Sequence, residues 1–128
     1  MSNTAAKILL AISVCTVAAQ ALAGGQDSYV FCDNGLRCVT APCPSNSALD
    51  LATGELIKGV SIDIEGLTQE DKALDLSDKL YAGKVVVVGS IENRTQTFNG
   101  KQHTLPWLVA TAIERAARDG ERGHCSAH

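Results

Sequence analysis

The side chains best suited to chemistry in this sequence are thiols and imidazoles. There are five cysteines: Cys15, Cys32, Cys38, Cys43 and Cys125. Cys38 and Cys43 enclose four residues, with Pro42 before the second cysteine and Pro44 after it. A thioredoxin-like redox pair has two intervening residues, so the spacing does not fit that chemistry. Each proline fixes φ, lacks an amide donor and pushes its predecessor toward extended backbone. A short, covalently closed turn is what such a segment can form. At the other end, His124-Cys125-x-x-His128 holds two imidazoles and a thiolate, donors that suit a transition metal. His103 is the one other histidine, so a metal would need partners from elsewhere in the fold. A disulfide at Cys125 is the simpler expectation, and no metal and no other cofactor is expected.

Catalysis by nucleophile and base, or by paired carboxylates, finds little support. Asp63 and Glu65 alternate on what reads as the outer face of a strand, where solvation is the ordinary state. Ser90 follows Gly89 but lacks the flanking glycines of a nucleophile elbow. Asn93-Arg94-Thr95 fits a glycosylation sequon, a three-residue pattern that chance readily supplies. No catalytic residue is therefore expected, and an enzyme or a metal-binding protein ranks below a binding protein.

Residues 1–23 read as an export leader. Lys7 supplies a positive start, Ile8 to Val14 an apolar core, and Ala21-Leu22-Ala23 a small-x-small cleavage site before Gly24. The apolar run is too short to span a bilayer, so no stable membrane span is expected after cleavage. Cys15 as a lipid-carrying cysteine is disfavoured by the bulk of Val14. Residues 24–128 then form a single domain, periplasmic or secreted. Its four cysteines form an even set in an oxidising compartment, which predicts two disulfides. Three pairings exist; Cys38–Cys43 and Cys32–Cys125 are favoured, the second tying the C-terminal tail to the first strand.

The formal net charge is −3, and loss of Lys7 makes the exported chain more acidic by a single charge. No basic stripe appears, so nucleic acid is not expected as a partner. Two tyrosines, two phenylalanines and one tryptophan are too few for a stacking platform.

These residues must be held by a small, sheet-rich scaffold. Tyr29 to Cys32 is β-prone, and Asp33-Asn34-Gly35 is a turn signal after which Leu36 to Thr40 can return antiparallel. Ser47 to Leu51 alternates and meets a turn at Thr53-Gly54. Gly59 to Ile64 alternates cleanly, with Val60, Ile62 and Ile64 on one face and Ser61 and Asp63 toward solvent. Thr68 opens the one helix, with Glu70 and Asp71 in its first turn, and Gly83 ends it. Ala73, Leu74, Leu76, Leu80 and Tyr81 are spaced to form its apolar face. Val85 to Val88 reads as a strand buried on both faces, with a bulge or bend at Gly89. Asn99-Gly100 is a hairpin tip. Leu105 to Arg115 fits either period and is read as a strand, because the valine run needs a partner. The order β-β-β-α-β-β is that of a five-stranded OB-like barrel; a curved sheet with one helix is the open alternative.

The run Arg37-Cys38-Val39-Thr40-Ala41-Pro42-Cys43 resembles the Arg-Cys-x-x-x-x-Cys turn near the start of a family of small exported bacterial domains of unknown function. The stretch from Val60 to Thr68, the later Val85-Val86-Val87-Val88-Gly89-Ser90-Ile91 and the closing Leu108 to Arg115 resemble that family too. Pro44-Ser45 departs from it, standing where small glycines would be expected. The resemblance implies export and a sheet-rich fold, and carries over no catalytic residue.

The expectation is thus a non-catalytic binding module, a monomer, with an unknown protein or envelope ligand as partner. Arg94, Phe98, His103 and Trp107 are the candidate binding residues on and beside the hairpin. The alternative is an inhibitor or immunity-type partner of an exported hydrolase, presenting Thr40-Ala41-Pro42 as a rigid loop.

Overall fold

The computed structural model describes residues 25–73 and 75–126; the expected leader, Leu74 and His128 lie outside them. The chain runs β1 (Asp27–Asp33), β2 (Asn46–Asp50), β3 (Leu56–Lys58), β4 (Ser61–Asp63), α1 (Leu76–Ala82), β5 (Val85–Phe98) and β6 (Lys101–Ala116), with a 3-10 turn at Asp119–Glu121. The fold is mainly β with one helix before the last two strands.

The strands form one mixed sheet in the order β3-β2-β1-β5-β6-β4. All pairs are antiparallel except β4 with β6. The two edge strands, β3 and β4, are consecutive in the chain and separated by Gly59 and Val60 alone. Gly59, at φ +74°, supplies the left-handed bend there. One extended segment therefore serves both edges. No ladder joins β3 to β6 among the described residues, so the sheet curls without closing into a barrel.

β1 and the first half of β5 are buried on both faces. Tyr29, Phe31, Val85 and Val87 point into the main core, with Val60, Leu67, Leu76, Leu80, Leu108 and Ala110. Val30, Cys32 and Val86 point the other way, into a smaller cluster closed by Cys125. Three of the four valines are buried; Val88 is half-buried. Gly89 sits at a register shift, with Val109's carbonyl where a Cβ would stand, so the expected bulge is required sterically.

The hairpin between β5 and β6 turns on Asn99 and Gly100, both at positive φ (+53° and +79°). That is the two-residue geometry for which Asn-Gly is suited. Leu105 to Arg115 is strand throughout.

Three local expectations are corrected. Leu36 to Thr40 is no strand but part of an exposed loop. The Asp33 carboxylate accepts from Gly35 N, and the Asn34 side chain accepts from Leu36 N; such local bonds compete with a ladder. β1 pairs instead with Asn46–Asp50 across the loop. The helix begins at Leu76, not Thr68. Thr68 does accept from Asp71 N at 3.2 Å, but Asp71 accepts from Ile113 N on β6, and the segment there is turn rather than helix. Tyr81 is half-exposed, its hydroxyl accepting from Arg37 at 3.0 Å.

The C-terminal tail covers the smaller core. The Cys32–Cys125 disulfide joins it to β1 and Cys38–Cys43 closes the proline turn, the two pairs favoured from the sequence. Ser126 donates to Asp33 through its backbone at 2.9 Å and its hydroxyl at 2.6 Å. Hydrogen bonds from Arg37, then from Ser126, hold the Asp33 carboxyl down to about 2.

Candidate functional site

The unclosed seam of the sheet is a cleft of about 430 Å³. Lys58, Gly59, Val60 and Ser61, the bend between the edge strands, form one wall. Gln96, Phe98, Leu105 and Pro106, from the outer half of the hairpin, form the second. Ala41 to Pro44 of the disulfide turn forms the third. Asn99 Nδ2 donates to the Ala41 carbonyl at 3.4 Å, linking hairpin tip to turn.

Each wall follows from local sequence. The disulfide and prolines stiffen the turn. Asn34 N donates to Ser45 O at 2.8 Å and so closes the loop that carries it. β4 pairs with β6 only from Trp107 onward, leaving the β6 edge before it without a strand partner among the described residues. A second hollow, of about 390 Å³, lies across Pro44 and Lys58 and includes Leu36, Leu56 and His124.

All four expected binding residues share one face of the hairpin, because β5 and β6 pair Gln96 with His103 and Glu92 with Trp107. All four are half-buried. Phe98 lines the cleft and packs on His103, ring centroids 5.8 Å apart. Arg94 and Trp107 stand further along. The Arg94 guanidinium lies 4.6 Å from the Trp107 ring centre, and Trp107 Nε1 donates to Gln96. Arg94 also pairs with Glu92 and with Asp63, the latter at 2.9 Å. Asp63 is therefore not simply solvated. The Glu65 amide and Arg94 hold its carboxyl below the usual range, one oxygen accepting from Arg94 and the other from Glu65 N.

At the tail, Cys125 Sγ is bonded to Cys32, and His124 Nε2 lies 2.9 Å from the Val30 carbonyl. Oxidised, the pair presents no thiolate to a metal; His128 lies outside the described residues.

Outside the Arg94–His103 hairpin, sequence reasoning missed the polar and proline part of the cleft: Asn46, Lys58, Ser61 and Pro106. The usable signal was Gly59 between two short alternating runs, which marks a strand changing partners.

Residues 4–112 match the family described as "Domain of unknown function (DUF6748)". The chain belongs to that family. The match stops within β6, so Cys125 and the tail fall beyond it. No curated protein and no solved structure matches the chain.

Proposed function

We propose that this member of the family is a non-catalytic binding module of an exported bacterial protein, working in the periplasm or outside the cell through the seam cleft. The observation that supports it most is the convergence of the stiffened Cys38–Cys43 turn and the Phe98 hairpin on one apolar cavity. Pockets with mostly apolar walls and a few polar groups are the usual form of a binding site. Two disulfides fit an oxidising compartment. Among the described residues no helix is long and apolar enough to cross a membrane.

Phe98→Ala is the direct test of the cleft. Its melting temperature should fall by only several degrees, since Phe98 is half-buried and stands outside the core cluster, where truncation costs less than in a core. Capture of envelope partners should weaken by more than about 1 kcal/mol, as truncating an aromatic anchor does. A stability loss of about 3 kcal/mol or more would make Phe98 a core residue and remove the surface.

The inhibitor reading has one observation of its own: Val39, inside the disulfide turn, is 99% exposed. A protruding, crosslinked apolar tip suits insertion into an enzyme's cleft. Thr40→Arg should abolish such binding while leaving capture through Phe98 intact.

Export is tested by mass and thiol content. Protein from the cell envelope should begin at Gly24 and, denatured without reductant, show no titratable thiol. A chain retaining Cys15 and one free thiol would refute cleavage at that site.

A further inference from the structure

We propose that the occupant of the cleft is an extended polypeptide segment of the pattern apolar-x-acidic-x-apolar, added as a strand along the free edge of β3. The inference rests on the binding-module reading above and names the class of partner.

The backbone of β3 supplies the first reason. Gly59 N donates to Asn46 O and Asp50 N donates to Glu55 O, each at 2.9 Å, and Ala48 stands opposite Ile57. The ladder alternates, so Ile57 directs its amide and carbonyl to β2 while Leu56 and Lys58 direct theirs away from it. β3 is the last strand on its side of the sheet. Its outward groups face no strand among the described residues, and a peptide laid along them gains main-chain hydrogen bonds. The cleft lies where a closing strand between β3 and the unpaired start of β6 would be.

Side chains and charge supply the second. Leu56 and Lys58 are exposed, whereas Ile57 packs on the core. Lys58 and Pro44 line both hollows, with the cleft on one side and Leu36 and Leu56 on the other. Among the described residues no carboxylate lines either hollow, although the chain's formal net charge is −3. Lys58 makes no ion pair with any described residue. A strand with side chains alternating over this edge meets an apolar hollow, an ammonium and an apolar cleft in turn. A second copy of this chain, paired edge to edge, would bring another Lys58 to the same place. An acidic segment fits where a copy does not.

The test is selection of displayed random decapeptides on the intact, oxidised protein. Recovered peptides should carry the apolar-x-acidic-x-apolar pattern, and a synthetic example should slow amide exchange at Leu56 and Lys58. Lys58→Gln should weaken that peptide about tenfold, a difference of about 1.4 kcal/mol, and should erase its preference for Glu over Gln. Peptides that bind without protecting those amides, peptides indifferent to Glu→Gln, or no recovered peptide would each overturn the proposal. The uncharged apolar dye N-phenyl-1-naphthylamine is titrated in parallel. Dye binding that depends on Phe98, with no peptide binding, would overturn the strand-addition proposal and leave the binding-module reading standing. Failure of both probes would overturn both.

Discussion

Val86→Asp is expected to leave no cooperatively melting protein. Val86 is wholly buried, and its neighbours Val30, Cys32 and Cys125 are apolar or sulfur-bearing. A carboxylate there would lack a partner within that cluster. Burying an unpaired ionised or polar group costs several kcal/mol, by an amount that depends on how far it can stay protonated. The lost valine burial adds roughly 1.5 kcal/mol or more. Domains of this size hold about 5–15 kcal/mol in total, so the variant should sit near or below the folding threshold. Val88→Asp is the contrast, because Val88 is half-buried and lines a shallow surface hollow near Ser28 and Glu114. Its carboxylate can reach water, so it should retain a cooperative melt at reduced temperature. Thermal unfolding followed by circular dichroism decides between them. A soluble Val86→Asp protein with a sharp transition would show that the β5 run is not buried on both faces.

What the sequence makes legible is what short-range chemistry dictates. Asn99-Gly100 specifies a hairpin because both residues accept positive φ. Val85 to Val88 read as a doubly buried strand because β-branched side chains in succession have no polar face to offer, and the reading holds for all but the half-buried Val88. The ambiguous Leu105 to Arg115 is settled by partnership: the ladder with β5 runs its whole length. What stays hidden depends on distant partners. Leu36 to Thr40 has strand-like composition, but the edge of β1 is taken by Asn46–Asp50. Thr68 is a sound cap, yet the turn it closes leads nowhere helical before Leu76. β3 and the parallel pairing of β4 with β6 are the largest gap: the alternation of Gly59 to Ile64 marks a strand around β4 but not the partner it takes. Of the site, the hairpin face with Phe98 was legible from its turn. The opposing wall was not, because Lys58 and Ser61 meet it only when the sheet curls back on itself.

The remaining large effect belongs to the Cys32–Cys125 disulfide. Its sequence separation is 93 residues. On the chain-entropy account, a loop of that length contributes about 4–5 kcal/mol, against about 2 kcal/mol for the short Cys38–Cys43 loop. Both sulfurs of the long bridge are buried, at 0% and 4% residue exposure, so serine would strand hydroxyls in an apolar cluster. The cleaner variant replaces both cysteines with alanine. It should melt at least about 15 °C below the parent, since each kcal/mol moves a domain of roughly this length by about 4–8 °C. The tail has other attachments: Ser126 to Asp33, His124 to the Val30 carbonyl and Arg122 to the Ala82 carbonyl. These hold its last turn in place but do not restrict the unfolded chain, so they cannot replace the crosslink's entropic share. The Cys38→Ala, Cys43→Ala variant should behave differently, with a smaller fall in melting temperature and a larger loss of binding, because Cys43 forms part of the cleft wall. If the long-bridge variant melted within a few degrees of the parent while the short-bridge variant collapsed, the assignment would be reversed. The proline turn, rather than the tail, would then be the structural clasp of the fold.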